Sequence, residues 1–288
     1  MQHGLSDFLQ LTKFRLSVSV VISTLAGYFL AATQVQYTTL FLLILGGYAM
    51  VGASNVFNQI FEKDLDQLML RTRNRPLPAG RMHITTALFI GVSLTLIGMI
   101  SLYLINLKTA FFASVSIFLY TCLYTPLKQK TPLAVFVGAI PGAIPFMLGW
   151  VAATNEFGIE PGVLFMIQFF WQFPHFWAIG WVMHDQYQSA GFKMLPSGLP
   201  DRSTAFQIVF YTFWTVLISL IPVFHYTGSL SLSLVSVLLV ALLGIAFLYY
   251  AIKLMFLKTE HAARLLIRVS IIYITGVQLI YVLDKFLI

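Results

Sequence analysis

Nine apolar stretches follow one another along this chain, and that succession leaves few folds open. They cover residues 14–33, 39–61, 85–104, 109–124, 133–152, 162–182, 205–224, 230–254 and 265–283. Each is near the length of a helix that crosses a bilayer, where backbone groups must be satisfied within the segment itself. Charged residues make up only 9% of the 288 and hydrophobic residues 59%, with a mean hydropathy of +0.86. A water-soluble domain carries roughly a quarter charged residues, so the bilayer is the expected partner. The reading is an all-α, polytopic membrane protein: nine transmembrane helices in one bundle, a single domain over 1–288, with no polar tract dividing it.

The basic residues set the orientation. With the N-terminus and every even-to-odd connection placed on one side, 15 of the 17 Lys and Arg fall there, and only Lys108 and Lys285 fall opposite. Such a bias puts the N-terminus and the charged loops in the cytoplasm and the C-terminus outside. It also accounts for the pI near 9.5 without nucleic acid as a partner. The single cysteine, Cys122, excludes an intrachain disulfide and reads as a small core residue. Residues 1–14 lack an apolar core with a cleavage site, so the first run is expected to remain as a helix. Two long connections, 62–84 and 184–204, lie on the cytoplasmic side, where function is expected. They are four helices apart, which hints at duplication of a four-helix unit, although the halves share little residue identity.

The first of these connections gathers chemistry. Asn58, Glu62 and Asp66 recur every four residues, so on a helix they share one face, with Asp64 on the far side. Four arginines follow within eleven residues: Arg71, Arg73, Arg75 and Arg81. Oxygen ligands beside guanidinium groups suit Mg²⁺ shared with a phosphate-rich substrate; an acidic helix end before a basic cytoplasmic loop is the plainer reading. The order of residues resembles the Asn-x-x-x-Asp-x-x-x-Asp signature of the intramembrane (UbiA-type) prenyltransferases, with Glu62 where Asp is usual, followed by that family's Arg-Thr-x-x-Arg-Pro. The spacing of Met69, Arg71, Thr72, Arg75 and Gly80 is similar to that of its haem-farnesylating branch.

Three further segments carry the same resemblance. Asp185-Gln186-Tyr187 through Ala190-Gly191 to Met194-Leu195-Pro196 resembles the branch's second loop, with Gln186 at the usual acidic position and the carboxylate one residue earlier at Asp185; Asp201 lies farther on. Trp171-Gln172-Phe173-Pro174-His175-Phe176 resembles its Trp-Gln-x-Pro-His-Phe segment. There Pro174 is expected to kink the helix, and His175 either contacts haem or packs through a hydrogen bond. His184 is a second candidate; His3, His83, His225 and His261 read as surface or interface residues. Tyr124-Thr125-Pro126 with Lys128 and Lys130, followed by Gly138 to Pro145, is also similar to the family. Its lysines serve either diphosphate or haem propionates, or anchor the membrane edge.

The resemblance implies transfer of a farnesyl group from farnesyl diphosphate to a vinyl group of protohaem IX, with Mg²⁺ as cofactor. It assigns Asn58, Glu62, Asp66, Arg71 and Arg75 to catalysis. Lys128, Lys130, His175, Asp185 and Tyr187 fall to substrate binding, and Asn58, Glu62, Asp66 and Asp185 to the metal. It further implies a cytoplasm-facing cavity in a bacterial inner membrane, and haem A synthase or a terminal oxidase as partners. A quinone-precursor prenyltransferase and a non-catalytic haem-handling membrane protein are the alternatives.

Overall fold

The computed structural model describes residues 2–224 and 226–287, the side chains of Gln2 and His3 excepted. Among them every regular element is helical. The order is α1 (Gln2–Leu11), α2 (Phe14–Ala31), α3 (Tyr37–Phe61), α4 (Lys63–Gln67), α5 (Ile84–Tyr103) and α6 (Leu107–Phe118). A π-helical turn, Leu119–Tyr124, joins α6 to the short α7 (Thr125–Leu127). Then come α8 (Ala134–Thr154), α9 (Ile159–Val182), α10 (His184–Ser189), α11 (Arg202–Ile218), a 3₁₀ turn (Ile221–Phe224), α12 (Leu234–Leu257) and α13 (Glu260–Leu287).

Eight of the described helices are long and apolar enough to cross a membrane: α2, α3, α5, α6 through α7, α8, α11 with its 3₁₀ turn, α12 and α13. The chain is an integral membrane protein. Helix α9 is as long as α12, 24 residues, but Gln168, Gln172, Pro174 and His175 dilute its apolar character and keep it outside that set. Exposed side chains on the outer helices are large and apolar, such as Phe89, Leu96 and Ile100 on α5 and Leu234, Leu238, Leu242 and Ile245 on α12. A surface of that kind is stable against lipid rather than water.

Two inner helices hold the bundle together. Helix α2 packs on α3, α8 and α13, while α8 packs on α2, α6 and α9; the outer ring closes through α5 against α3 and α11 and α12 against α9 and α13. The α2–α8 seam is backbone against backbone. A Cβ on Gly27 would lie 2.0 Å from the Phe146 carbonyl oxygen, and one on Gly149 only 1.8 Å from that of Thr24. Small residues permit such contact where there is no hydrophobic drive between helices.

Several elements depart from the sequence reading. Helix α1 lacks a long apolar run and was not expected; polar contacts pin it, with Arg81 Nε on Asp7 Oδ1 at 3.0 Å and Gln59 Nε2 donating to the Leu11 carbonyl at 2.6 Å. The π turn reconciles α6 with Pro126, which has no N–H and whose ring crowds the carbonyl four residues back. That turn directs Thr121 and Thr125 inward and leaves Cys122 exposed, so Cys122 is not a core residue. Pro174, where the sequence reading places a kink, lies within the continuous span of α9. His83 and His261 are exposed as expected; the His3 side chain and His225 lie outside the described residues.

Candidate active site

The chain leaves α3 at Phe61, yet its hydrogen-bond ladder runs on: Glu62 N–H reaches the Asn58 carbonyl at 3.0 Å, and Asp66 N–H reaches that of Glu62 at 2.8 Å. The three side chains therefore stay on one inward face. Asn58, Glu62 and Asp66 are all buried, while Asp64 is exposed. The Arg-Thr-x-x-Arg-Pro stretch folds back over them. Thr72 Oγ1 donates to the Asp66 carbonyl at 2.9 Å, and Arg75 N–H donates to the Thr72 carbonyl at 2.9 Å. This turn delivers Arg75 Nη1 to Asp66 Oδ2 at 2.7 Å. Gly80 closes the loop at a φ of +70°, a left-handed conformation that suits glycine.

A second cation enters from the segment after the π turn. Lys128 Nζ lies 2.7 Å from Glu62 Oε1 and 4.4 Å from the centre of the Tyr124 ring, with Phe192 on its other flank. Thr125 Oγ1 takes the Asn58 amide N–H at 3.2 Å while itself donating to the Tyr120 carbonyl, which orients the Asn58 side chain. Lys13, between α1 and α2, is the third. Half-buried, it faces Arg75, Lys128, Glu62 and Asp66 but forms no ion pair among the described residues. Burial, with repulsion from Arg75 and Lys128, lowers its ammonium from the usual lysine range to about 7. Burial also raises the Asp66 carboxyl, against the opposing pull of Arg75.

One atom shows what this arrangement lacks. Asp66 Oδ1 is fully buried and has no hydrogen-bond partner among the described residues. A buried carboxylate oxygen left unpaired is costly, and a cation would satisfy it. With Glu62 and Asn58 on the same face, the donor set is all oxygen, as Mg²⁺ requires. No group of three His, Cys, Asp or Glu side chains converges to hold a metal among the described residues. Asp185 is exposed and does not complete a three-carboxylate cluster with Glu62 and Asp66. Asp201 has a structural partner: its Oδ1 accepts the Thr204 N–H at 2.9 Å and caps α11, and that bond holds the carboxyl below its usual range.

The loops meet beside these residues. Arg71 N–H donates to Gln186 Oε1 at 3.3 Å, so the residue in the usual carboxylate's place ties the first long loop to the second. Lys193 N–H donates to the Lys128 carbonyl at 2.7 Å, tying the second loop to the third segment. Tyr187, on α10, packs edge-on against Phe192. The Arg71 side chain is exposed, as is Lys130, whose carbonyl accepts from Lys193 Nζ at 3.4 Å. Arg73 is exposed and Arg81 is turned towards Asp7, so only Arg75 of the four arginines grips the carboxylates. Deeper in, His175 Nδ1 lies 2.8 Å from Ser270 Oγ, and the ring stacks on Trp171 with centres 4.7 Å apart.

Sequence reasoning missed Lys13, Tyr124, Thr125 and Phe192. Lys13 had a signal, a Lys-x-Arg pair at the start of the first span, but the positive-inside rule absorbed it.

An intramembrane helical bundle with an acidic face, clamped by cations under converging loops, defines a class of protein, and comparison gives it a name: the chain belongs to the UbiA prenyltransferase family, which it matches over residues 20–272. A relative in Christiangramia forsetii called Protoheme IX farnesyltransferase is 61% identical over 98% of this chain and 94% of its own length. One of the same name in Flavobacterium psychrophilum is 58% identical over 98% and 95%. Among solved structures, a digeranylgeranylglyceryl phosphate synthase superposes with a TM-score of 0.81 at 18% identity, covering 97% of this chain and 98% of that one. A UbiA homologue from Archaeoglobus fulgidus bound to GPP and Mg²⁺ gives 0.64 at 13%, over 96% and 99%. These two share the fold.

Proposed function

We infer that the chain transfers the farnesyl group of farnesyl diphosphate to a vinyl group of protohaem IX. The allylic C1–O bond breaks, the vinyl carbon bonds to C1, and water adds to the adjacent carbon with loss of a proton, leaving a hydroxyethylfarnesyl side chain and diphosphate. The relatives named above, matched over nearly their whole length, support the reaction. The orphaned Asp66 Oδ1 is the observation that supports the site, in which Asn58, Glu62 and Asp66 would hold Mg²⁺. The bound prenyl diphosphate and Mg²⁺ of the Archaeoglobus homologue agree with that assignment.

When bound, Mg²⁺ neutralises diphosphate oxygens and so lowers the barrier to their departure. Arg75, Lys128 and Lys13 surround the same spot and stabilise the negative charge that develops as the bond breaks. Arg71 and Tyr187 stand at the mouth to receive the outer phosphate, with Lys130 and Asp185 at its rim. The loops tied together by Gln186 and Lys193 keep water from the allylic cation until the vinyl carbon attacks. His175 contacts haem. It lies seven residues below the end of α9, about 10 Å into the bilayer from the phosphate site by helical rise.

Counting α9, the protein has nine spans in one domain, with the site open to the cytoplasm of a bacterial inner membrane, the N-terminus inside and the C-terminus outside. Haem A synthase or a terminal oxidase receives the product. Mass spectrometry of haems extracted from cells expressing the chain tests this reading. Protohaem IX gaining a farnesyl group and one water is the expected product; unmodified haem beside a folded, abundant protein overturns it.

A further inference from the structure

Ser270 lies on α13 with no surface exposure, facing α9 inside the bilayer, and its hydroxyl has one proton to give. Its Oγ is 2.8 Å from the Ile267 carbonyl oxygen and 2.8 Å from His175 Nδ1. Two acceptor oxygens at 2.8 Å repel unless a hydrogen lies between them, so the proton goes to Ile267. Ser270 Oγ is then an acceptor towards His175, and the hydrogen between them belongs to Nδ1. The imidazole is held as the Nδ1–H tautomer, with its lone pair on Nε2. Nε2 has no hydrogen-bond partner among the described residues, and it is on the ring edge away from Ser270.

The ring plane is fixed as firmly as the tautomer. Trp171 stacks on the imidazole at an interplanar angle of 18° and anchors its own indole by donating Nε1–H to the Ser270 carbonyl at 2.6 Å. Phe176 meets the ring edge-on at 5.4 Å. One residue of α13 thus holds the Trp171 and His175 rings of α9, the first through its backbone and the second through its side chain. An imidazole with one nitrogen donating to a fixed oxygen and the other bare is the arrangement found at metal-ligating histidines, where the outer partner sets orientation and raises basicity.

We propose that Ser270 is a positioning residue that presents His175 Nε2 as an axial ligand to the iron of the haem substrate. The proposal rests on protohaem IX being the acceptor and on His175 contacting it. Iron ligation at this depth holds the macrocycle by its centre and leaves the vinyl edge to be aimed towards the phosphate site.

The test uses the full chain in lipid nanodiscs, titrated with ferric protohaem IX and then reduced for resonance Raman spectroscopy. Ser270→Ala is expected to weaken haem binding by about tenfold or more and to shift the iron–histidine stretch. Ser270→Thr, which keeps the hydroxyl, is expected to restore both, and His175→Ala to abolish the stretch. Magnesium-dependent binding of farnesyl diphosphate, retained in all three, shows that each is folded. If Ser270→Ala keeps the wild-type stretch and affinity while His175→Ala loses them, His175 remains the ligand and Ser270 does not position it. Should His175→Ala keep the wild-type spectrum, iron ligation by His175 fails and the proposal falls with it. Loss of farnesyl diphosphate binding in Ser270→Ala also overturns it, since the serine would then be a general packing residue.

Discussion

Asp66 has one oxygen held by Arg75 and the other unpaired in a buried site, whereas Asp64, two positions away, points outward. The two should therefore behave differently. Asp66→Ala is expected to lower turnover at least about a hundredfold, the scale for losing an electrostatic contact to developing charge. Asp64→Ala should change stability by less than about 0.5 kcal/mol and leave turnover near wild type. Steady-state kinetics at matched expression decide it, and the reverse order would refute the shared-face argument. Lys13 adds a pH signature. With its ammonium lowered to about 7, its charge is present below neutrality and lost above it, so affinity for farnesyl diphosphate should fall as pH rises through 7. Binding isotherms should show this limb in the wild type and not in Lys13→Met, which removes the titrating group; a falling limb that persists in the variant would assign the titration to another group and overturn this role for Lys13.

At the scale of elements, the α2–α8 seam makes the sharpest claim. A methyl group on Gly149 collides with the backbone of α2, so Gly149→Ala should destabilise the bundle by about 1–3 kcal/mol, the usual cost of overpacking. Gly162→Ala, with open space around its Cβ in α9, is the control and should not lower the melting temperature. Equal melting temperatures would mean that the seam relaxes freely. The spans were legible in the sequence because an apolar run bounded by charge has one outcome in a bilayer; 39–61 differs from α3 (Tyr37–Phe61) by two residues. Helix α1 and the π turn were not legible. The first depends on contacts from Arg81 and Gln59, distant in sequence, and the second on how the chain accommodates Pro126. In the site, residues spaced along one helix could be read as one face, as with Asn58, Glu62 and Asp66. Partners arriving from elsewhere could not: Thr125 on Asn58 and Ser270 on His175 are 67 and 95 residues apart.

Across the whole molecule, 15 of the 17 Lys and Arg fall on one set of connections, and the two exceptions have a local cause. Lys285 Nζ donates to the carbonyls of Phe29, Leu30 and Ala32 and closes the end of α2, while Lys108 Nζ donates to that of Asn155 at the end of α8. Both satisfy carbonyls that a helix end leaves unpaired, so they are not evidence against the orientation. The cations at the opposite end are those proposed to meet the diphosphate, and there the central claim can be tested most directly. Purified chain in nanodiscs is given protohaem IX and farnesyl diphosphate, with and without Mg²⁺, and products are weighed by mass spectrometry. Farnesylated, hydrated haem formed with stoichiometric diphosphate, only when Mg²⁺ is present, is the predicted result. Prenylation of hydroxybenzoate with haem left untouched would contradict it.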